Sequence, residues 1–230
     1  MSVRPLYVVV EGPDGSGKST LVSNLARLMR GRDELGGFPA WETREPGGNP
    51  LGERLRSALK DVQLQRHTPW LARRLLFEAD RVAQQELVRH HVESGSHVVQ
   101  DRCAVVSNHC YGAAEGSDDG TMQAIEALDR DRLMPDLVLL VDTPDRIAGG
   151  RLKLGSDAED PAERDPGLLG AVRANYAVLV AQARDDGEVR TKSGFVLQAR
   201  VLDGSASRED LADEALRDVA LYAATEGWVR

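Results

Sequence analysis

Short apolar runs alternate along the chain with longer segments in which apolar residues recur every three or four positions. Residues 6–10 form an apolar run that is typical of a buried strand. The segment after it repeats Leu21, Leu25 and Leu28 on one face of a helix. The clearest buried strand is predicted over "DLVLLVD", residues 136–142. Strands that alternate with helices in this way indicate βαβ units and an α/β fold with a mostly parallel sheet.

The same periodicities predict the remaining elements. Further strands are expected near residues 40–43, 97–100 and 195–202, and further helices over residues 51–62, 69–93 and 169–179. A last helix begins at Ser207, where Asp210 three residues later has the spacing of a capping box. Two acidic segments with glycine and proline, residues 115–120 and 155–167, are predicted to be loops. With 230 residues and no internal repeat, the chain is expected to form a single domain over residues 1–230.

Charge and cysteine usage narrow the possible partners. The formal net charge of −8 argues against a surface that binds nucleic acid, because such surfaces cluster lysine and arginine. Cys103 and Cys110 do not have CxxC spacing, and the chain shows no signal peptide, so we expect a reduced cytoplasmic protein. No apolar run approaches the ~20 residues that a membrane span needs. We therefore expect a soluble protein that binds neither nucleic acid nor membranes.

The stretch "GPDGSGKS", residues 12–19, fits the pattern G-x-x-x-x-G-K-[ST] between the first predicted strand and the first predicted helix. Its glycines let backbone N–H groups surround a phosphate chain, and the helix N-terminus adds positive potential. Lys18 is expected to reach the β- and γ-phosphates, and the Ser19 hydroxyl to ligate Mg²⁺. The alternative is a glycine-rich turn with an accidental lysine. The predicted phosphate-binding residues are Gly12, Asp14, Gly15, Ser16, Gly17, Lys18, Ser19 and Thr20.

A phosphate-binding loop indicates a nucleotide but does not specify the reaction. A switch GTPase would need an NKxD motif, which is absent, and the early DxxG at residues 33–36 falls in a polar turn. An ATPase motor would usually bring a further remodelling module, for which this acidic chain leaves no room. The remaining class is a small kinase, which requires a second anion site for the phosphoryl acceptor.

Three arginines are candidates for that second site. Arg44 lies in "TREPGG", Arg81 ends "LLFEADR", and Arg102 ends "VVQDR". In an open α/β sheet, ligands bind at the carboxyl ends of the strands, where these segments can converge. Arginine offers a phosphate bidentate hydrogen bonds that lysine cannot match. Each arginine alone is better explained as a surface or ion-paired residue, whereas the set beside a phosphate-binding loop favours an acceptor site.

Together these motifs resemble the thymidylate kinase family of P-loop nucleoside monophosphate kinases. The resemblance extends over nearly the whole chain, and "TREPGG" is its most family-specific part. Its other parts are "EGPDGSGKST", "LGERLR", "LLFEADR", "DR" with "SNHCY", "PDLVLLVDTP", "VRANY" and "VLDGSASREDLADEAL". It implies a three-layer P-loop kinase fold, with a central, mostly parallel sheet and helices on both faces. It also implies transfer of the γ-phosphoryl group of ATP, with Mg²⁺, to a deoxynucleoside monophosphate, foremost dTMP to dTDP, in a homodimer.

The resemblance also implies roles for single residues. The acceptor-binding set is Asp14, Arg44, Glu45, Phe77, Arg81, Arg102, Ser107, Asn108 and Tyr111. Phe77 would stack on the base, although its position on an amphipathic helix fits a plain core phenylalanine nearly as well. Arg102 would clamp the acceptor phosphate, and Asp101 would support the Mg²⁺ that Ser19 ligates. The Glu45–Pro46 peptide bond is expected to be cis.

Little covalent chemistry is required of the protein, because the attacking phosphate oxygen is already anionic near neutral pH. Catalysis then depends on alignment and charge neutralisation, which Lys18, Arg102 and Mg²⁺ would supply. The five histidines show no spacing typical of zinc ligands.

The sequence departs from the family pattern in the acceptor segment. The family spacing from "DR" to the pocket serine is one residue shorter than the spacing from Asp101 to Ser107, so this segment is expected to bulge. Tyr111 is followed by Gly112 and Ala113 instead of the glutamine that is frequent there. Base recognition can therefore differ from thymine.

A second departure concerns the lid, expected over residues 152–168. The loop carries no arginine at Gly15 or Ser16, and in similar proteins a lid arginine then closes on the transferred group. Arg164, in "EDPAERDP", is the first candidate for this catalytic role, and Arg151 at the base of the lid is the second. The alternative is an ordinary solvated loop. If neither arginine reaches the phosphates, turnover should be slow.

Two other functions stay open on the sequence. The altered pocket segment is compatible with a kinase of the same fold that acts on another nucleotide or on a small phosphorylated metabolite. The altered lid is compatible with a nucleotide-binding regulatory protein of weakened catalysis, against which the intact Lys18, Ser19, Asp101 and Arg102 argue.

Overall fold

A six-stranded sheet forms the centre of the computed structural model, which describes residues 4–61, 67–115, 119–127, 131–154 and 166–226. The strands are β1 (Tyr7–Glu11), β2 (Ala40–Arg44), β3 (His97–Asp101), β4 (Leu137–Asp142), β5 (Glu188–Arg190) and β6 (Val196–Asp203). Their spatial order is β2-β3-β1-β4-β6-β5. Neighbouring strands are parallel except for β5, which pairs antiparallel to β6. The predicted α/β fold with a mostly parallel sheet is therefore confirmed.

Helices follow most of the strands within the described residues. They are α1 (Lys18–Met29), α2 (Pro50–Lys60), α3 (Trp70–Glu93), α4 (Ala104–Ser107), α5 (Asp119–Glu126), α6 (Asp145–Leu154), α7 (Pro166–Asp186) and α8 (Arg208–Thr225). A 3₁₀ turn covers Asp33–Leu35, and a π-helix covers Asn108–Gly112. Ser207 caps α8 as its spacing indicates, since its hydroxyl oxygen accepts the Asp210 N–H at 3.1 Å. No described helix combines the length and apolar character needed to cross a membrane.

Several elements were not predicted. Strand β5 is only three residues long and carries charged residues at both ends, so it lacks an apolar run. Helix α6 contains the pair Gly149–Gly150, which weakens its periodicity. The segment 115–120 was expected to be a loop, but α5 already begins at Asp119. Of the expected lid, residues 155–165 lie outside the described residues, and the part from residue 166 onwards is the start of α7.

Apolar side chains cover both faces of the sheet. Val8 and Val10 of β1 pack in one cluster with residues of α1 and α8, such as Leu25. Tyr7 and Val9 point to the opposite face, into a second cluster that contains residues of α3 and α7, such as Leu179. Parallel sheets are normally covered by helices in this way, because their crossover connections lie on the two faces. The chain therefore folds into three layers.

The parallel register brings the carboxyl ends of the central strands together. In the pairing of β1 with β3, Val10 lies opposite Asp101, and in the pairing of β2 with β3, Arg44 lies opposite Asp101. The next residue of β1, Glu11, lies opposite Leu140 of β4. The charged residues that end these strands thus meet at one edge of the sheet, where α/β proteins bind ligands.

At the opposite edge, a buried histidine connects two strands. The Leu6 N–H donates to Nδ1 of His97 at 3.0 Å, and the Phe38 ring meets the imidazole edge-to-face at 5.5 Å. The His97 side chain is fully buried, and this burial lowers its pKa to about 4. His97 therefore stays neutral in the folded protein at pH values where an exposed histidine takes up a proton.

We predict that this histidine makes the fold sensitive to mild acid. Its ordinary pKa is 6.5, so between pH 6.5 and 4 the unfolded chain binds more protons, and stability falls as the pH is lowered. The contribution lost is roughly 3 kcal/mol at about 1.4 kcal/mol per unit of pKa. Urea titrations of His97→Asn should show a shallower decline across this range. His90→Asn, at an exposed position, should keep the slope of the parent; an equal slope in His97→Asn would refute the assignment.

Candidate active site

The phosphate-binding loop connects β1 to α1 with three glycines in left-handed or otherwise positive φ. Gly12, Gly15 and Gly17 have φ values of 152°, 79° and 102°. A Cβ atom on Gly12 would lie 2.9 Å from the Val141 carbonyl oxygen, and one on Gly15 would lie 2.4 Å from that of Ala148. The loop therefore packs closely against the end of β4 and against α6. Gly17 is the N-cap of α1, so no side chain of its own covers the first N–H groups of the helix.

Lys18 supplies a buried positive charge in this loop. Its Nζ donates to the Pro13 carbonyl oxygen at 3.0 Å and lies 3.8 Å from Oδ1 of Asp14. Burial lowers the pKa of Lys18, with a further contribution from Arg102, while Asp14 favours the charged form. Thr20, also predicted to bind phosphate, lies exposed in the first turn of α1.

Ser19 and Asp101 meet where Mg²⁺ is expected. The Ser19 hydroxyl donates to Oδ2 of Asp101 at 2.6 Å, across 82 residues of sequence. Oδ1 of Asp101 is buried and has no hydrogen-bond partner among the described residues. Magnesium in nucleotide enzymes is held by one or two protein oxygens together with phosphate oxygens and water. A hydroxyl beside a carboxylate oxygen with open lone pairs fits such an ion.

Arg102 follows β3 directly and turns back over the loop. Its N–H donates to the Val10 carbonyl oxygen at 3.0 Å, and its φ of 70° is rare for a residue with a side chain. The guanidinium donates to Asp14 and lies over the Tyr111 ring, 5.0 Å from its centre. Burial disfavours the charge of Asp14, yet Arg102 and Lys18 hold the pKa of Asp14 below its ordinary value. Two cations thus converge on a single carboxylate.

A second arginine lies deeper in the site. Nη1 of Arg81 donates to Oε1 of Glu78 at 2.6 Å and also to Oδ1 of Asn108. The Asn108 amide donates to the same Glu78 oxygen at 2.9 Å. The three polar side chains are buried, and their contacts fix the orientation of the asparagine amide.

Phe77 lies beside this group on α3. Its ring is partly exposed, and neither apolar cluster of the described residues includes it. The guanidinium carbons of Arg74 and Arg81 each lie 5.6 Å from the ring centre. This placement favours a stacking surface over the alternative of a core phenylalanine. Arg74 is itself held by Glu115, which also accepts the indole N–H of Trp70 at 2.9 Å.

The "TREPGG" segment places one acidic residue inside the site and its arginine at the rim. The Glu45–Pro46 peptide bond is cis, as expected. Oε1 of Glu45 accepts from the Gln100 amide at 2.9 Å, and burial raises the pKa of Glu45 to about 8, against the opposing charge of Arg81. The Arg44 guanidinium is about half exposed and pairs with Glu53 at 2.7 Å. In this conformation Arg44 therefore contacts α2.

The bulge was expected between Asp101 and Ser107, but Ala104–Ser107 are α-helical and the irregular turn follows them. Residues Asn108–Gly112 form a π-helix, whose wider turn accommodates one residue more than an α-helical turn. Within it, the Tyr111 hydroxyl donates to Oδ2 of Asp14 at 3.0 Å. Ser107, just before it, donates to Oε1 of Glu11 at 3.1 Å, so its hydroxyl faces the end of β1.

Of the two arginines proposed for the lid, the structure describes only Arg151. Nη1 of Arg151 donates to the Ser16 carbonyl oxygen at 2.9 Å, and Nη2 donates to that of Gly204 at 3.1 Å. The Arg151 guanidinium is thus bound to the backbone of the loop and of the β6–α8 connection. Arg164 lies outside the described residues.

Four residues that the sequence reading did not assign take part in the site. Glu11 and Tyr176 are hydrogen-bonded to each other at 2.7 Å, and Glu78 binds both Arg81 and Asn108. Asp80 accepts the Gly47 N–H at 3.2 Å and so fixes the "TREPGG" segment. The signal for Glu11 was a carboxylate at the end of an otherwise apolar strand. For Tyr176 the signal was its place at the end of "VRANY", since its position in the apolar stripe of its helix gave none.

We predict that the contact between the loop and α6 is required for nucleotide binding. In Gly15→Ala, the new methyl group meets the Ala148 carbonyl at a φ of 79°, so the loop must change shape. Calorimetric titration with ATP should give a Kd at least about tenfold higher, since such strain costs of order 1–3 kcal/mol. Gly149→Ala is the matched control on α6, because no described atom lies within 4 Å of its Cβ position. Parental affinity in Gly15→Ala would contradict the packing.

Comparison with known proteins gives a consistent result. A family model described as thymidylate kinase matches residues 10–187. The thymidylate kinase of Cupriavidus pinatubonensis is 33% identical over 186 residues, which cover 79% of this chain and 87% of the relative. That of Cupriavidus necator is 31% identical over 218 residues, covering 95% and 99%. That of Methylobacillus flagellatus is 35% identical over 150 residues, covering 65% and 70%. The chain belongs to the thymidylate kinase family and is a phosphotransferase.

Proposed function

We propose that this protein transfers the γ-phosphoryl group of ATP to dTMP, with Mg²⁺, to give dTDP. The observation that carries the proposal is the shared carboxylate of Asp14. Nζ of Lys18 in the phosphate-binding loop lies 3.8 Å from Oδ1 of Asp14. Arg102, at the end of the neighbouring strand β3, donates to the same atom. A donor-side cation and an acceptor-side cation therefore lie within a few ångströms of one point. Phosphoryl transfer needs such a pair, because both reactants are anions.

On the donor side, the residues of the loop bind and neutralise the triphosphate. The backbone N–H groups of residues 14–19 would surround the phosphates, and Lys18 would contribute a positive charge that is shielded from bulk water. Ser19 and Asp101 would hold Mg²⁺, which withdraws charge from the phosphate oxygens when bound. Because Asp101 also lies next to Arg102 in sequence, the ion site and the acceptor clamp have a fixed separation.

On the acceptor side, polar and aromatic groups are arranged in order from the phosphate end to the base end. Arg102 binds the phosphate, Asp14 and Tyr111 lie near the sugar, and Phe77 stacks on the base while Arg81 and Asn108 donate to it. Glu45 and Ser107 support this pocket through Gln100 and Glu11. The attacking oxygen needs no general base, so the chain's role is to align it with the γ-phosphorus.

Additional charge would come from arginines at the rim. Arg44 reaches the phosphates only if it leaves Glu53, which its exposure permits. Arg164, which lies outside the described residues, is proposed as a further catalytic arginine. Arg151 is proposed to act from its position against Ser16, where it fixes the loop.

A substrate panel tests the proposal. ADP release coupled to NADH oxidation should be fastest with dTMP when dTMP, dUMP, dCMP, dGMP and non-nucleotide phosphate acceptors are compared at equal concentration. Chelation of Mg²⁺ should abolish the signal. Lys18→Met should lower kcat by about 10²-fold or more, since it removes a charge from a buried transition-state site. Preference for another acceptor would reassign the substrate, and ATP binding without any ADP release would indicate a regulatory protein.

We also propose that the protein is a cytoplasmic homodimer. Helix α3 exposes Leu71, Leu75 and Val82 on one face, each more than 40% accessible. Leu51 of α2 is exposed to a similar degree. Apolar side chains that recur on one helix face and remain accessible are typical of an interface. Free buried thiols at Cys103 and Cys110 agree with a reducing compartment.

Light scattering tests the dimer. The parent protein should have twice the mass of the 25.1 kDa chain at micromolar concentration. Leu75→Asp introduces a charge into the exposed apolar face and should return the single-chain mass. Leu221→Asp, at an equally exposed leucine of α8, should leave the mass unchanged. A single-chain mass for the parent would exclude the dimer.

A further inference from the structure

The side chain of Glu11 is fully buried at the end of β1 and has no part in the proposed phosphoryl transfer. Its Oε1 accepts the Cys103 N–H at 2.8 Å and the Ser107 hydroxyl at 3.1 Å. Its Oε2 accepts the Tyr176 hydroxyl at 2.7 Å. A buried carboxylate is costly unless each oxygen is hydrogen-bonded, and here three donors from two chain segments meet that need. The same hydrogen bonds have an effect beyond satisfying the carboxylate oxygens of Glu11.

The direction of these hydrogen bonds connects Glu11 to Arg102 through Tyr176. Burial raises the pKa of Glu11, while Arg102 and the hydrogen bonds from Cys103 and Tyr176 favour its charged form. When ionised, this carboxylate only accepts, so the single proton of the Tyr176 hydroxyl is directed at Glu11. The hydroxyl oxygen then presents its lone pairs away from Glu11, and there Nη1 of Arg102 donates to it at 3.0 Å. The direct distance from Arg102 Nη1 to Glu11 Oε2 is 3.9 Å, so the link between them runs through the tyrosine. Arg102 thus donates to Tyr176, and Tyr176 donates to Glu11. We call these three residues the relay, and the order of donation its polarity.

Arg102 needs such a support. Its long side chain loses up to about 2 kcal/mol of rotamer entropy when it is fixed, and its backbone is held at a φ of 70°. The other partner of the guanidinium, Asp14, has a side chain that is 28% exposed and faces the proposed acceptor site. Tyr176 is only 2% exposed and Glu11 is completely enclosed, so their contact lies on the protected side.

We propose that Glu11 and Tyr176 are positioning residues, which set the direction of the Arg102 guanidinium and thereby the affinity for the acceptor phosphate. The inference rests on the proposed function insofar as Arg102 binds that phosphate. Glu11 acts through Tyr176 and touches neither substrate. An arginine oriented in advance binds its phosphate without the loss of freedom that a mobile one incurs.

Two substitutions separate positioning from simple packing. Tyr176→Phe removes only the oxygen of the relay. Glu11→Gln keeps the shape, but its amide oxygen is required by the Cys103 N–H, so its NH₂ group faces Tyr176 and reverses the polarity of the relay. Each change should raise KM for dTMP about tenfold and leave KM for ATP within twofold. Because both act through the same contact, Glu11→Gln in the Tyr176→Phe background should add less than twofold.

The control is Tyr222→Phe, which removes the hydroxyl of another buried tyrosine on α8. It should leave both KM values unchanged. If Tyr176→Phe lowers the melting temperature and leaves KM for dTMP unchanged, the pair is structural and the inference is wrong. Additive effects of the two substitutions on KM would also overturn it.

A measurement without substrate separates this inference from the proposed function. ¹⁵N relaxation of the Arg102 guanidinium, assigned by its absence in Arg102→Lys, should show a restricted side chain in the parent and a mobile one in Tyr176→Phe. Restriction together with no activity on dTMP would reject the proposed function and retain the positioning. Activity on dTMP with an equally mobile Arg102 in both proteins would retain the proposed function and reject the positioning.

Discussion

The parallel pairing of β1 with β3 is the constraint on which the site depends. It places Val10 opposite Asp101, and the next N–H after the strand, that of Arg102, donates to the Val10 carbonyl oxygen. Beyond this point β1 continues into the phosphate-binding loop, and β3 continues into the proposed acceptor segment. The groups proposed to bind the two reactants therefore have positions set by the same hydrogen-bonded ladder, which the two apolar layers hold in register.

An acidic chain can bind two anions because its charges are distributed unevenly. The net charge is −8, yet Lys18 and Arg102 meet at a single carboxylate, and Arg81 lies a short distance away among Glu78, Glu45 and Asn108. Lys18, Arg81 and Arg102 each have an acidic partner, which lowers the cost of burying them. The acids also prevent the cations from repelling each other before the phosphates arrive. The local arrangement, rather than the overall charge, determines what the site attracts.

The sequence predicted those features that depend on neighbours along the chain. The strands, the long helices and the phosphate-binding loop are visible in periodicity and spacing, whereas counting residues placed the bulge before Ser107 and the π-helix lies after it. The relay through Glu11 and Tyr176 was not predictable, because these two residues are 165 positions apart in sequence and the tyrosine continues an apolar stripe. The ion pair of Arg44 with Glu53 depends on the direction of α2, which no local pattern specifies.

The π-helix at Asn108–Gly112 has a consequence for how the pocket can change over evolutionary time. A wider turn absorbs an inserted residue inside the helix, so the insertion does not displace the chain on either side of it. Tyr111 keeps its bond to Asp14 although the segment before it is longer. The wall of the proposed acceptor pocket can therefore vary in length, and such length changes offer a route to new base preferences that point substitutions do not provide.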